Sequence, residues 1–189
     1  MGYHLPAEAV ARVDLPGGHA FELVVGDLLS EPVDAIVNAA NGRLAHGGGV
    51  AAAIARAAGP ALEREGTRIV GERGEIPVGG AVVTGAGNLP FKAVVHAVGP
   101  RLGEGDEEEK LVRALTSAFT CAAERGFSAL SFPAVSSGIF AVPLPVCARA
   151  YVRAVREFFV AHPEASLRLV RLCLMRGPLV DLVRAELGC

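Results

Sequence analysis

The sequence predicts an α/β fold. Short apolar runs that are typical of buried strands alternate along the chain with longer stretches in which apolar residues recur at helical spacing. Polar loops that contain glycine follow two of these strands. With 189 residues, the chain is long enough to bury a substantial core. We therefore expect residues 1–189 to form a single domain, in which residues 1–18 are an N-terminal extension with a strand.

The first half of the chain predicts a hairpin, three further strands and two helices. Residues 7–14 and 19–25 have strand character, and Pro16-Gly17-Gly18 between them suits a turn. Ile36 and Val37 mark the end of a third strand, and Asn41 lies just past it. The remaining predicted elements of this half are an alanine-rich helix at residues 51–59, a solvated helix at 61–73, and strands at 81–84 and 93–98.

The second half predicts three more helices and two more strands. An acidic loop at residues 103–110 leads into a helix that starts near Leu111 and stops at Gly126. A later helix has one apolar face for four turns and ends at His162-Pro163. The other predicted elements are strands at residues 129–135 and 167–175 and a closing helix at 180–187.

Composition limits the classes of function. Apolar residues make up 51% and charged residues 20% of the chain, and the formal net charge is −2. This charge gives no basic surface for nucleic acid, which we do not expect as a partner. We also expect no membrane segment and a cytoplasmic location, since no signal pattern or long apolar run is present. The four cysteines are widely spaced without a C-x-x-C pair, so we expect no metal site, and nothing indicates a cofactor.

The stretch from Val33 to Gly59 reads as strand, glycine loop and helix. The first N–H groups of a helix lack internal partners, and the helix dipole adds partial positive charge there, so such a junction suits an anion. Glycine lets the backbone approach a phosphate closely. The alternative is a simple tight turn. The pattern lacks the Gly-Lys-Ser/Thr ending of a Walker A loop and the G-x-G-x-x-G of a dinucleotide fold.

A second polar loop, Ser136 to Phe140, follows the strand predicted at residues 129–135. In open α/β sheets, ligands collect at the carboxyl ends of strands. Both special loops meet this requirement. Two anion-accepting loops in one crevice suit a diphosphate.

The residues Gly26-Asp27-Leu28, Val33 to Asn41, His46 to Val50 and Ser136 to Phe140 together resemble those of macrodomains, the ADP-ribose-binding modules. The resemblance covers the chain from about residue 19 to the C-terminus. It implies a three-layer fold with a mixed, mostly parallel sheet between helices. The run His46-Gly47-Gly48-Gly49-Val50-Ala51 is similar to the branch found in archaeal and viral macrodomains.

The resemblance implies a binding role for each matching position. Asp27, with the N–H of Leu28 beside it, would bind the adenine amino group. The two loops would hold the pyrophosphate, and Asn41 would hold the distal ribose, against which Phe140 would lie. The full set of implied ligand-binding residues is Asp27, Leu28, Ala39, Asn41, Gly47, Gly48, Gly49, Val50, Val135, Ser136, Ser137, Gly138, Ile139, Phe140 and Met175.

The resemblance also implies hydrolysis of ADP-ribosyl esters, either on mono-ADP-ribosylated proteins or on O-acetyl-ADP-ribose. The candidate catalytic residues are Asn41, which would fix the ribose for attack by a water held near the phosphate, and His46, whose alternative is a structural loop histidine. One hydrolase subfamily has an aspartate at the position of Ala51. A general base contributes about 10²–10⁴-fold, so Ala51 favours a non-catalytic ADP-ribose reader. A slow ADP-ribose 1″-phosphate phosphatase is a third possibility.

A second departure concerns adenine. Related proteins often have an aromatic residue that stacks on adenine, and the matching position here is Met175, followed by Arg176. Both side chains can pack on a ring, so we expect binding to survive with weaker discrimination for adenine.

Overall fold

A computed structural model of the protein describes residues 7–189. Strands and helices alternate, so the predicted α/β class is confirmed. The elements are β1 Glu8–Leu15, β2 His19–Val25, a short 3₁₀ helix Leu28–Ser30, β3 Ala35–Ala40, α1 Gly49–Ala58, α2 Pro60–Arg73, β4 Ala81–Thr84, β5 Ala93–Val98, α3 Glu107–Glu124, β6 Ala129–Phe132, α4 Leu144–Ala161, β7 Leu169–Leu174 and α5 Pro178–Leu187.

The described strands form one seven-stranded sheet in the order β1-β2-β7-β6-β3-β5-β4. The five inner strands run parallel, and the two edge strands β1 and β4 are antiparallel to their neighbours. The predicted mixed, mostly parallel sheet is therefore confirmed. Because parallel strands end at the same edge, the loops after β2, β7, β6, β3 and β5 lie side by side in that order.

Helices cover both faces, which gives three layers as expected. On one face, apolar residues of the strands pack against α3, α4 and α5, around the buried rings of Phe119, Phe132 and Tyr151. On the other face, residues that alternate with these, such as Ile36, pack against Ile54 of α1 and the start of α2. Full burial of each large apolar side chain contributes roughly 1.5–3 kcal/mol, so both helical layers are held firmly to the sheet.

Several predicted boundaries were wrong by a few residues, and proline accounts for two of them. The strand predicted to reach residue 135 ends at Phe132, because Pro133 has no N–H to donate to the ladder. The last helix begins at Pro178 rather than residue 180, since proline is favoured in the first helical turn. Helix α3 starts at Glu107, so the acidic stretch of residues 103–110 is partly helical.

Candidate ligand-binding site

The glycine loop connects β3 to α1, as the sequence predicted. The main-chain N–H groups of Gly47 and Gly48 have no hydrogen-bond partner among residues 7–189. Helix α1 then begins at Gly49, whose φ of +59° favours glycine. The first N–H groups of α1 also lack partners within the helix. The loop therefore presents a row of unpaired N–H donors at the positive end of a helix dipole.

The loop between β6 and α4 presents a second row of donors. The N–H of Ser137 bonds to Ala134, and that of Val142 bonds to the carbonyl oxygen of Ser136. Between them, the N–H groups of Gly138, Ile139 and Phe140 have no partner in the part of the chain that the structure describes. Three consecutive N–H donors of this loop are thus unpaired among the described residues.

These two loops face each other across a narrow crevice. A Cβ atom built on Gly48 would lie 3.3 Å from Cδ1 of Ile139. The Ile139 side chain is 79% exposed, so it extends from its own loop toward the glycine loop rather than into the core. The two loops that carry the unpaired donors are therefore close to each other, as a diphosphate held between them would require.

Buried hydrogen bonds hold the loop after β6 in place. The hydroxyl of Tyr151 donates to the carbonyl oxygen of Val135 at 2.6 Å, and Ser136 Oγ donates to that of Pro100 at 2.7 Å. Burial raises the pKa of Tyr151 well above its ordinary value. The N–H of Val135 bonds to Pro133, and its side chain is only 1% exposed. Val135, expected among the ligand-binding residues, thus has its groups engaged in holding the loop.

Asn41 uses most of its amide to fold its own loop. Its Oδ1 accepts bonds from the N–H groups of Arg43 and Ala45, each at 3.1 Å, and its Nδ2 donates to the carbonyl oxygen of Ala45 at 3.1 Å. Asn41 therefore acts as a turn residue at the end of β3. One N–H of the amide remains, so Asn41 is able to donate to a ribose hydroxyl, whereas its acceptor lone pairs are occupied.

A cavity of about 300 Å³ lies beside Asn41. Phe140 also lines it, so the structure brings together the two residues expected at the distal ribose. The segment after β5 forms another wall through Gly99 and Arg101, and the Arg101 guanidinium lies 4.6 Å from the centre of the Phe140 ring. This segment was not predicted from the sequence, although the carboxyl-end rule applied to the predicted strand at residues 93–98 indicates it.

His46 does not line this cavity. Its side chain is only 3% exposed, with Nδ1 3.9 Å from a Glu63 carboxylate oxygen and the ring centre 6.0 Å from that of His96. It borders a separate concavity between α1 and α2. Burial lowers the pKa of His46, and Glu63 offsets this in part. The structure thus places His46 beneath the helices, and its catalytic role stays a prediction without support from this geometry.

His96 is a core histidine. Its Nδ1 lies 3.1 Å from Nδ2 of Asn38, and its Nε2 lies 2.8 Å from the hydroxyl of Thr84. Burial lowers its pKa to about 3, so the ring is neutral at ordinary pH.

The opposite end of the crevice lies over β2 and β7. Asp27 Oδ1 accepts from the N–H of Leu29 at 2.9 Å and so caps the 3₁₀ helix. Leu28 is buried. Met175, just past β7, is 85% exposed. Because β2 and β7 are neighbours, Asp27 and Met175 flank the same end of the crevice.

Two alanines beside the crevice, Ala51 and Ala39, provide no acid or base. Ala51 lies in the first turn of α1 and is buried, and Ala39 lies half-buried in β3.

Within residues 7–189, no group of three or more histidine, cysteine, aspartate or glutamate side chains is arranged to hold a metal ion. None of the helices described there combines the length and hydropathy needed to cross a bilayer.

Comparison with protein families gives a match to the Macro domain over residues 37–151. The chain belongs to the Macro domain family. The matched residues include the glycine loop, the loop after β6 and helix α4 as far as Tyr151. Both loops with unpaired N–H donors therefore lie within the part of the chain that matches the family.

Known relatives of this Macro domain include proteins with and without an assigned activity. An O-acetyl-ADP-ribose deacetylase of Enterobacter sp. (strain 638) is 42% identical over 170 residues, which cover 82% of this chain and 94% of that protein. An uncharacterized protein of Thermotoga maritima is 46% identical over 158 residues, 82% of this chain. The match covers 26% of that protein, so this chain spans about a quarter of its length.

Solved structures show the same fold. The Oceanobacillus iheyensis macrodomain with ADP has a TM-score of 0.86 at 29% sequence identity, and the match covers 94% of this chain and 95% of that one. The Trypanosoma brucei macrodomain in complex with ADP-ribose has a TM-score of 0.79 at 30% identity, covering 89% of this chain and 69% of that one.

Proposed function

We propose that this Macro domain binds ADP-ribose and hydrolyses ADP-ribosyl esters, as an O-acetyl-ADP-ribose deacetylase or a mono-ADP-ribosyl-protein hydrolase. The observation that carries the proposal is the pair of facing loops with unpaired N–H groups, at Gly47 to Gly49 and at Gly138 to Phe140. Such donors are the usual protein partners of a diphosphate. The relatives named as O-acetyl-ADP-ribose deacetylases support the choice of reaction.

The strand order suggests how the ligand lies. Adenine would sit over β2 and β7, between Asp27 and Met175. The diphosphate would cross β6 and β3 between the two loops, and the distal ribose would enter the cavity beside Asn41 and Phe140. This order gives each part of ADP-ribose a partner of suitable chemistry along a single edge of the sheet.

In the proposed reaction, Asn41 donates its remaining N–H to a hydroxyl of the distal ribose and so fixes the ester. A water beside the phosphate attacks the ester. The phosphate acts as the general base, because the alanine at position 51 has no ionisable group. Fixing the two reactants in this way supplies the orientation on which the rate depends. The products are ADP-ribose and a carboxylate.

Finer assignments rest on the sequence resemblance. We propose that the chain belongs to the branch with the His-Gly-Gly-Gly-Val-Ala loop and that mono-ADP-ribosylated proteins in the cytoplasm are among its partners. His46 would then act through packing under the glycine loop, since it is buried against α1 and α2.

One observation favours a second function, a non-catalytic reader of ADP-ribose. Ala51 is buried in the first turn of α1 and carries no ionisable group. A reader would use the same crevice and the same donors but would not activate water.

The test is release of ADP-ribose from a glutamate-modified protein and from O-acetyl-ADP-ribose. Wild type is compared with Asn41→Ala, and Asn88→Ala at an exposed asparagine is the matched control. Binding of ADP-ribose and thermal unfolding are measured for each protein, because Asn41 also holds residues 43–45. We expect time-dependent release that is lost in Asn41→Ala and kept in the control. Tight binding without release from either substrate would identify a reader.

A further inference from the structure

Arg101 is a cation that the proposed mechanism does not use. It lies three residues past the end of β5 and is exposed, and its guanidinium carbon lies over the Phe140 ring, 4.6 Å from the ring centre, in the wall of the cavity beside Asn41. Within residues 7–189 it forms no ion pair with a carboxylate. A stacked guanidinium keeps its in-plane N–H donors available. These donors are therefore free for a ligand.

The segment that carries Arg101 is fixed to the loop after β6. The N–H of Leu102 donates to the carbonyl oxygen of Phe140 at 2.8 Å, and Ser136 Oγ donates to that of Pro100 at 2.7 Å. The residues on both sides of Arg101 are thus bonded to the loop that presents the second row of donors. Its position relative to Phe140 is set by the fold as well as by the stacking itself.

The charges around the cavity leave Arg101 as the available cation. Glu75 lines the cavity, but its carboxylate is paired with Arg43 at 2.8 Å. Glu104 lines it as well and brings a negative charge. Among the described lining residues, Arg101 is the positively charged one. A group next to the distal ribose that accepts hydrogen bonds or carries negative charge would find its partner here.

We propose that Arg101 binds the acyl group attached to the distal ribose, and so gives the site its preference for acyl esters over free ADP-ribose. This inference rests on the proposed function. Before hydrolysis, the guanidinium donates to the ester carbonyl oxygen. The oxygen of the attacking water then bonds to the ester carbonyl carbon, and the bond between that carbon and the ribose oxygen breaks. The ribose oxygen takes up one hydrogen of the water and becomes a hydroxyl of ADP-ribose, and the acyl group leaves as a carboxylate, with the other hydrogen released to solvent as a proton. Arg101 is ion-paired with that carboxylate until it leaves.

The test compares two ligands on wild type and Arg101→Gln. One ligand is free ADP-ribose. The other is an ADP-ribosylated glutamate peptide in which an amide replaces the labile ester, so that the carbonyl acceptor is kept and turnover is removed. We expect wild type to bind the peptide about 10-fold more tightly than ADP-ribose, a factor typical of one hydrogen bond to a charged group. In Arg101→Gln this ratio falls to about 1, while the affinity for ADP-ribose itself changes less than about 3-fold.

Three further variants separate charge, stacking and general effects. Arg101→Lys keeps the charge without the planar fork and retains part of the preference. Glu104→Gln removes the negative charge from the same cavity and raises the ratio. Arg68→Gln, at an exposed arginine of α2 paired with Glu72, keeps the wild-type ratio.

The outcomes distinguish this inference from the function on which it rests. If wild type shows no preference for the peptide, or if Arg101→Gln retains the preference, the role of Arg101 is wrong although ADP-ribose binding stands. If wild type binds neither ligand, the proposed function is wrong and the inference falls with it.

Discussion

The hydroxyl of Tyr151, buried in helix α4, donates a hydrogen bond of 2.6 Å to the carbonyl oxygen of Val135. Val135 immediately precedes Ser136, which has a φ of +68° and bonds in turn to Pro100. A left-handed conformation at a serine is strained, so the surrounding bonds are needed to keep it. The hydrophobic core is thus connected through one phenol to the loop that carries the second row of donors.

Removal of the Tyr151 hydroxyl should loosen the loop after β6. We expect Tyr151→Phe to lower the free energy of unfolding by about 1–3 kcal/mol, because the carbonyl of Val135 is left without this donor in the core. ADP-ribose affinity should fall several-fold, since three N–H groups of the loop lose their fixed geometry. Urea unfolding and calorimetric titration measure the two effects. If the variant is destabilised but its ADP-ribose affinity is unchanged, the bond from Tyr151 to Val135 does not hold the ligand-binding loop in place.

Gly99 is expected to tolerate no side chain. A Cβ there would lie 2.2 Å from Ser136 Oγ and 2.9 Å from Val135 Cγ1, and both of those residues are buried. Gly99→Ala should therefore displace the loop, at a cost of about 1–3 kcal/mol in stability, and weaken ADP-ribose binding. Gly71→Ala in α2 is the control, because nothing lies within 4 Å of its Cβ position. Equal behaviour of the two variants would contradict the packing seen here.

Asp27 is predicted to contribute to binding through its carboxylate. Asp27→Ala should weaken ADP-ribose binding about 10-fold, as expected for a hydrogen bond to a charged group, while the fold persists. Loss of the cap at Leu29 costs about 0.5–2 kcal/mol. Asp27→Asn keeps an oxygen for that cap and so separates the two effects. If calorimetry gives the wild-type affinity for both variants, the adenine assignment is wrong.

His96 should make stability depend on pH. Its pKa of about 3 in the folded protein lies below the ordinary value of 6.5. Between these values the unfolded chain binds a proton that the folded chain does not, so the free energy of unfolding falls as the pH falls below about 6.5, by at most ~1.4 kcal/mol per unit. His96→Gln should show a shallower decline in urea unfolding at stepped pH.

The control for this pH effect is His162→Gln, at an exposed histidine just past α4. It should retain the wild-type slope. An identical slope in wild type and His96→Gln would show that other groups account for the acid sensitivity.

Local patterns predicted the α/β class and the two special loops, whereas the three-layer fold with a mixed sheet was implied by the resemblance to macrodomains. The period-2 and period-3.6 apolar patterns located the strands and helices, and glycine at the end of a strand indicated the loop at Gly47 to Gly49. The order of strands in the sheet was not predictable from spacing, since it depends on contacts far apart in sequence. The position of Arg101 over Phe140 depends on that order, because β5 must lie beside β3.

Side-chain direction in the loops was also beyond the sequence. Leu44 has a φ of +55° and is buried beside Ile69 and Val98, and His46, two residues later, is buried beneath α1 and α2. A histidine next to a glycine triplet gives no sign of this. Likewise, nothing in the sequence shows that the Asn41 side-chain oxygen accepts two hydrogen bonds from its own loop.

The most direct test of the central claim is a calorimetric titration of the wild-type protein with ADP-ribose and, separately, with adenosine. Two charge-assisted hydrogen bonds from N–H groups to the diphosphate contribute about 3 kcal/mol, which corresponds to about 100-fold in affinity. We therefore expect saturable binding of ADP-ribose at least about 100-fold tighter than that of adenosine. Equal affinities, or no saturable binding of ADP-ribose, would contradict a diphosphate held between the two loops.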